Sequence, residues 1–107
     1  MTAEFLEFYV PDRGRHPRSI GGFTVCSEAA PVNFGPLRNL EDITPRHVLL
    51  VTGNQAHSRW FNNKVAEQRG ENGEVFVVSG ARHIDLYDDV DLIPFDAIET
   101  FLAGHLS

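Results

Sequence analysis

Sulfur chemistry is nearly absent from this chain: Cys26 is its only cysteine and Met1 its only methionine. A disulfide within the chain is therefore excluded, which suits a reducing compartment such as the cytoplasm. No apolar run approaches the roughly 18–20 residues that cross a bilayer. Glu4 and Glu7 stand where a secretory leader would carry positive charge. These two features lead to the expectation of a cytoplasmic protein that does not enter a membrane. Basic residues are scarce, nine Lys and Arg against fifteen Asp and Glu, for a net charge of −6. That balance argues against nucleic acid as a partner, because such binding needs a clustered basic footprint. The one basic cluster, Arg13, Arg15, His16 and Arg18, lies among glycine and proline. It reads as a solvated loop rather than a phosphate site. Apolar content is ordinary at 42% of 107 residues, enough for one small domain with a modest core.

The chain divides near Thr44 into an N-terminal helix and irregular arm, residues 1–45, and an ordered unit, residues 46–107. Ala3 to Val10, with Phe5, Leu6, Phe8 and Tyr9, is apolar enough for a short helix. Pro11 to Pro45 has little periodicity, and its best strand is Phe23-Thr24-Val25-Cys26 after Gly21-Gly22. In the second unit, His47 to Thr52 is a β-branched and aliphatic run closed by Gly53, the signature of a buried parallel strand. Ser58 is placed to cap a following helix whose stripe is Trp60, Phe61, Val65 and Ala66, with Gly70 and Gly73 at its end. Val75 to Val78 forms a second buried strand, followed by a loop. Leu92, Phe95, Ile98, Phe101, Leu102 and Leu106 then recur at three- and four-residue steps in a helix whose first turn holds Pro94. A right-handed crossover would make the two strands parallel neighbours. Two parallel strands with open edges make a poor sheet, so a second chain is expected to complete it. A homodimer, with the sheet continued or the N-terminal arms exchanged, is the favoured form.

Ile43-Thr44-Pro45-Arg46-His47 through Gly53, then Ala56-His57-Ser58-Arg59-Trp60-Phe61, resembles a late strand and turn of bacterial α/β-hydrolases. The subgroup is dienelactone-hydrolase-like or xylan-esterase-like. Val77-Val78-Ser79-Gly80-Ala81-Arg82-His83-Ile84-Asp85-Leu86-Tyr87-Asp88 looks like that subgroup's last strand and catalytic-histidine loop. Leu92 to Leu106 looks like its closing helix, and Phe8-Tyr9 with Arg13 to Arg18 is similar to the segment before it. The resemblance covers nearly the whole chain. It implies the fold class α/β: a truncated α/β-hydrolase-like βαβα unit with parallel strands, completed by dimerisation. It also implies ester, lactone or related acyl hydrolysis without a cofactor.

In that family the triad runs Ser, then Asp or Glu, then His, with the serine on a Gly-x-Ser-x-Gly elbow. No such pentapeptide occurs here. The positions where relatives place the acid hold Asn54 and Ala56. Asn54 could orient an imidazole but not stabilise an imidazolium as a carboxylate does. His83 is the residue carried over by motif, expected beyond the C-terminal end of a parallel strand, where α/β sheets bind ligands. An imidazole there suits general-base chemistry near neutral pH, the alternative being an inherited structural histidine. Asp85 and Asp88 are candidates to replace the lost acid, although Asp85 reads first as structural. Asp85, Asp88, Asp89 and Asp91 lack the full calcium-loop pattern, so no metal is expected. Asp91 or Asp88–Asp89, near the start of the last helix, is better read as favouring its dipole. Ser58 reads as a helix cap before it reads as a nucleophile or substrate contact. His57 either shares the mouth with His83 or packs under the N-terminal arm, and two histidines alone do not make a zinc site. Cys26 could act as a thiolate nucleophile, but a lone cysteine in a strand is more often buried. Trp60 and Phe61 read as packing, with Trp60 also a candidate substrate contact because this helix borders the site in the family.

Two functions from different classes follow. In one, the chain is a hydrolase whose site is assembled across chains, with His83 as base and a serine, cysteine or activated water supplied by a homodimer mate or partner hydrolase chain. In the other, it is a degenerate, non-catalytic fragment that dimerises, binds a small ligand or regulates a full-length relative. A third reading makes it a piece of a longer enzyme.

Overall fold

The aliphatic run from Val48 forms strand β1 (Val48–Gly53), and Gly73–Val78 forms β2. They pair in parallel from Val48 opposite Gly73 to Gly53 opposite Val78. In this computed structural model, residues 2–19, 24–29, 34–35 and 37–106 are described, and among them these two strands are the whole sheet. Helix α1 is Thr2–Tyr9. The strands are joined by α2 (Arg59–Arg69), and the chain continues through α3 (Asp85–Asp88) to α4 (Phe95–His105). Mixed α/β architecture with parallel strands matches expectation.

The chain falls into two units, 1–38 and 39–107. The boundary precedes Thr44, and one buried side chain explains why. Arg69, 7% exposed at the end of α2, donates from Nη1 to the Leu40 carbonyl at 2.7 Å and to Thr44 Oγ1 at 2.8 Å. Its Nη2 donates to the Arg46 carbonyl at 2.7 Å. The guanidinium fork thereby ties residues 40–46, including the cis Thr44–Pro45 peptide, to the second unit.

In the first unit, Arg13 stacks over the Phe8 ring at 5.4 Å, and Phe8 meets Tyr9 edge-on. The expected strand at Phe23–Cys26 is not formed by its described part: Val25–Glu28 is a 3-10 turn, and Phe23 lies outside the described residues. The Thr24 and Ser27 hydroxyls bond each other at 2.8 Å, a local alternative to strand pairing. Cys26 is exposed on that turn rather than buried.

In the second unit, α2 packs against both strands. By the strand period of two, Leu49 and Val51 share the opposite face with their register partners Glu74 and Phe76. There α4 faces the sheet across clefts lined by Leu49, Phe76, Ala97 and Phe101 at one end and by Val51 and Ile98 at the other. His105 stacks on His47 at 4.0 Å and meets Phe101 at 4.6 Å, fastening the end of α4 beside the start of β1. The strands are not buried throughout as expected. Only Thr52, Gly53 and Val78, at their C-terminal ends, are buried, while Phe76 and Val77 are 40% and 38% exposed. Two strands cannot cover each other's faces and edges, so the deepest part of the unit lies where the loops cross above them.

Candidate functional site

The loops after β1 and β2 meet at the C-terminal edge of the sheet, and a lattice of backbone bonds holds them together. The Asn54 N–H donates to the Val78 carbonyl at 2.9 Å, and the Gln55 N–H donates to the Ala81 carbonyl at 3.0 Å. Asn54 Oδ1 accepts from the Gly80 N–H at 2.9 Å. Gly80 has φ of 79°, a left-handed turn open to glycine at little cost. A Cβ on Gly53 would overlap the Ala81 carbonyl oxygen, so the close crossing requires glycine there. Ala81 and Ile84 are fully buried on either side of the pair that carries the polar chemistry, Arg82 and His83.

This scaffold brings His83 to Ser58. Ser58 Oγ and His83 Nδ1 are hydrogen-bonded at 2.9 Å across 25 residues of sequence. The other ring nitrogen, Nε2, is hydrogen-bonded to the Tyr87 hydroxyl at 2.7 Å, with the two rings edge to face. His57 lies beside this group, its ring centroid 4.9 Å from that of His83. Ser58, His83 and Tyr87 line a cavity of about 370 Å³ whose walls include Val51, Leu86, Ile93, Pro94 and Ile98. The arrangement can hold an imidazole in one orientation, move a proton at either nitrogen, and seat a small apolar group alongside.

The other residues singled out in the sequence have different places. Asp85, a candidate orienting acid, is engaged with Arg82. Its Oδ2 accepts from the Arg82 backbone N–H at 2.9 Å and from Nε at 3.1 Å, and its Oδ1 accepts from Nη2 at 3.1 Å. That fork closes the turn carrying His83. Asp88 ends α3, a helical turn within a stretch expected to be loop. The acid in the first turn of α4 is Asp96, not Asp88, Asp89 or Asp91. Asn54, expected where an orienting acid would stand, has its side-chain oxygen engaged by the Gly80 N–H. Ser58 occupies the N-cap position of α2 without making a capping bond, because its hydroxyl is turned to His83. Trp60 is 59% exposed and stacks on Phe61 at 4.3 Å, neither packed inward nor among the cavity-lining residues. Among the described residues no group of three or more His, Cys, Asp or Glu could hold a metal, and no helix is long and apolar enough to cross a membrane.

The same scaffold is seen in one longer protein. Over 106 residues the chain is 37% identical to the uncharacterized protein PA2218 of Pseudomonas aeruginosa, covering 96% of this chain and 29% of that one. The crystal structure of hypothetical protein PA2218 superposes with a TM-score of 0.86 at 36% identity, over 96% of this chain and 33% of its own. This chain thus spans about a third of the length of the relative it matches. No protein-family model matches the sequence.

Sequence reasoning missed Tyr87 and the pairing of Ser58 with His83. The first depends on the short helical turn Asp85–Asp88, which brings the Tyr87 hydroxyl back to His83 and has no clear signal in the sequence. The second depends on how two loops cross and has no local signal.

Proposed function

We propose that this chain is the C-terminal part of an α/β-hydrolase, akin to the dienelactone-hydrolase-like or xylan-esterase-like enzymes. In this reading it hydrolyses an ester, lactone or related acyl substrate, with His83 as general base in a site completed by a second chain. The observation that carries the reading is the anchoring of His83 by both ring nitrogens beside a cavity of about 370 Å³ at the C-terminal end of parallel strands. The apolar walls suit a small apolar acyl group. With no Gly-x-Ser-x-Gly in the chain, the nucleophile is a serine or a water presented by the partner. The imidazole takes the nucleophile's proton as oxygen attacks the acyl carbonyl, then returns it to the departing alkoxide. Where the nucleophile is a serine, a water deprotonated by the same imidazole then cleaves the acyl-serine and the proton returns to the serine. The half-exposed Phe76 and Val77 support completion of the sheet by that partner, either a second copy or a hydrolase chain.

Light scattering combined with turnover of a chromogenic short-chain ester tests the proposal. A dimer or larger assembly is expected, with turnover falling at least about a thousandfold in His83→Ala. Turnover unchanged in that variant overturns the assignment. A second reading, a non-catalytic ligand-binding or regulatory module, draws on the carboxylate nearest the histidine in sequence, Asp85, being committed to Arg82. A stable dimer that turns over no ester favours it.

A further inference from the structure

We infer that Ser58 is the positioning residue of His83: Nδ1–H donates to Ser58 Oγ, leaving Nε2 as the basic nitrogen, which the Tyr87 hydroxyl caps in the resting site. The assignment of Nε2 as the working base rests on the hydrolase reading above; the tautomer itself does not.

Three observations lead to it. Ser58 stands at the head of an eleven-residue helix, where a serine ordinarily bonds a backbone N–H of the first turn, yet its hydroxyl goes to His83. Two residues that would compete for this role have partners of their own, Asn54 the Gly80 N–H and Asp85 the Arg82 N–H. Ser58 also belongs to the loop after β1, the stretch that would carry an orienting acid.

The direction of the two bonds follows from donor strength. A phenol is far more acidic than an alkyl hydroxyl, so it is the better donor to a bare imidazole nitrogen. Both contacts, 2.7 Å at Nε2 and 2.9 Å at Nδ1, are of ordinary hydrogen-bond length. Ser58 Oγ, with two lone pairs, then accepts. The result is the ring orientation of a Ser-His-Asp triad with a neutral oxygen in place of the carboxylate. A serine fixes the tautomer and the plane of the ring but does not stabilise the imidazolium as a negative charge would.

Nitrogen-15 imidazole spectra of the full chain, recorded in alkaline buffer, test this without substrate, with His83 assigned by its loss in His83→Gln. The expected signature is a protonated Nδ1 and a bare Nε2. Ser58→Ala should shift the tautomer ratio about fivefold toward Nε2–H, the equivalent of one neutral hydrogen bond, and Ser58→Thr should restore it. An Nε2–H tautomer in the unmodified protein overturns the inference, even if Ser58→Ala does not fold. Unmoved His83 signals in a folded Ser58→Ala overturn it too. Loss of ester turnover as a function would leave these spectra unchanged, so the two proposals fail separately.

Discussion

Replacing Arg69 by Met keeps most of the side chain's bulk but removes its donors. Three charge-assisted bonds are lost, to the Leu40 carbonyl, Thr44 Oγ1 and the Arg46 carbonyl, all at 2.7–2.8 Å. Bonds to charged groups contribute about 1.5–3 kcal/mol each, and a carbonyl left buried without a donor costs about 1–3 kcal/mol. Against this, the folded state no longer has to strip water from a guanidinium, a penalty of several kcal/mol. Nε, which is buried without a hydrogen-bond partner, also ceases to be a cost. The balance is a loss of about 2–4 kcal/mol. With a urea dependence of about 1–2 kcal/mol per molar, the unfolding midpoint should fall by about 2 M at unchanged slope. Arg69→Lys should recover less than half of the loss, because a single ammonium cannot reproduce the fork. A midpoint for Arg69→Met that corresponds to a change within about 0.5 kcal/mol would show that desolvation cancels the bonds. The tie to residues 40–46 would then not set the boundary of the second unit.

Two further substitutions probe the loop crossing. Gly53→Ala forces a methyl group into the Ala81 carbonyl oxygen. It should destabilise the second unit by about 1–3 kcal/mol, as overpacking does, and move the His83 ring signals in an NMR spectrum; unaltered stability would mean the crossing is loose. Asp85→Asn removes the charge that Arg82 grips through both oxygens while keeping one acceptor. Thermal unfolding should show a loss of about 1–2 kcal/mol, discounted because the Arg82 side chain is about one-third exposed. No loss would mean that the turn is held by the buried Ala81 and Ile84 alone.

The strands, α2 and α4 were legible in the sequence because each has a short-range signature. An aliphatic run closed by Gly53 and a three- and four-residue apolar step are properties of a dozen neighbouring residues. The 3-10 turn at Val25–Glu28 and the helical turn at Asp85–Asp88 were not legible. Both are brief elements stabilised by side chains bonding nearby backbone or one another, which competes with propensity over a few residues. Arg69 illustrates a different blindness. In sequence it is one of several surface-type cations on a polar helix, and its burial is decided by the carbonyls that a neighbouring segment happens to present.

The candidate site divides in the same way. His83 was singled out by its resemblance to a catalytic-histidine loop, and its place beyond β2 by the strand and glycine turn before it. Which of its neighbours would hold the ring was not visible, and the nearest carboxylate, Asp85, turned out to be closing a turn with Arg82. Ser58 read as a cap because capping is a local rule, yet its hydroxyl is drawn to His83, 25 residues away. The sequence by itself determined the parallel strands, the helices beside them and the histidine beyond β2, since periodicity and turn chemistry act between near neighbours. Only the tertiary structure decided the partners of that histidine, because the crossing of two loops over Gly53 is set by packing that no local pattern encodes.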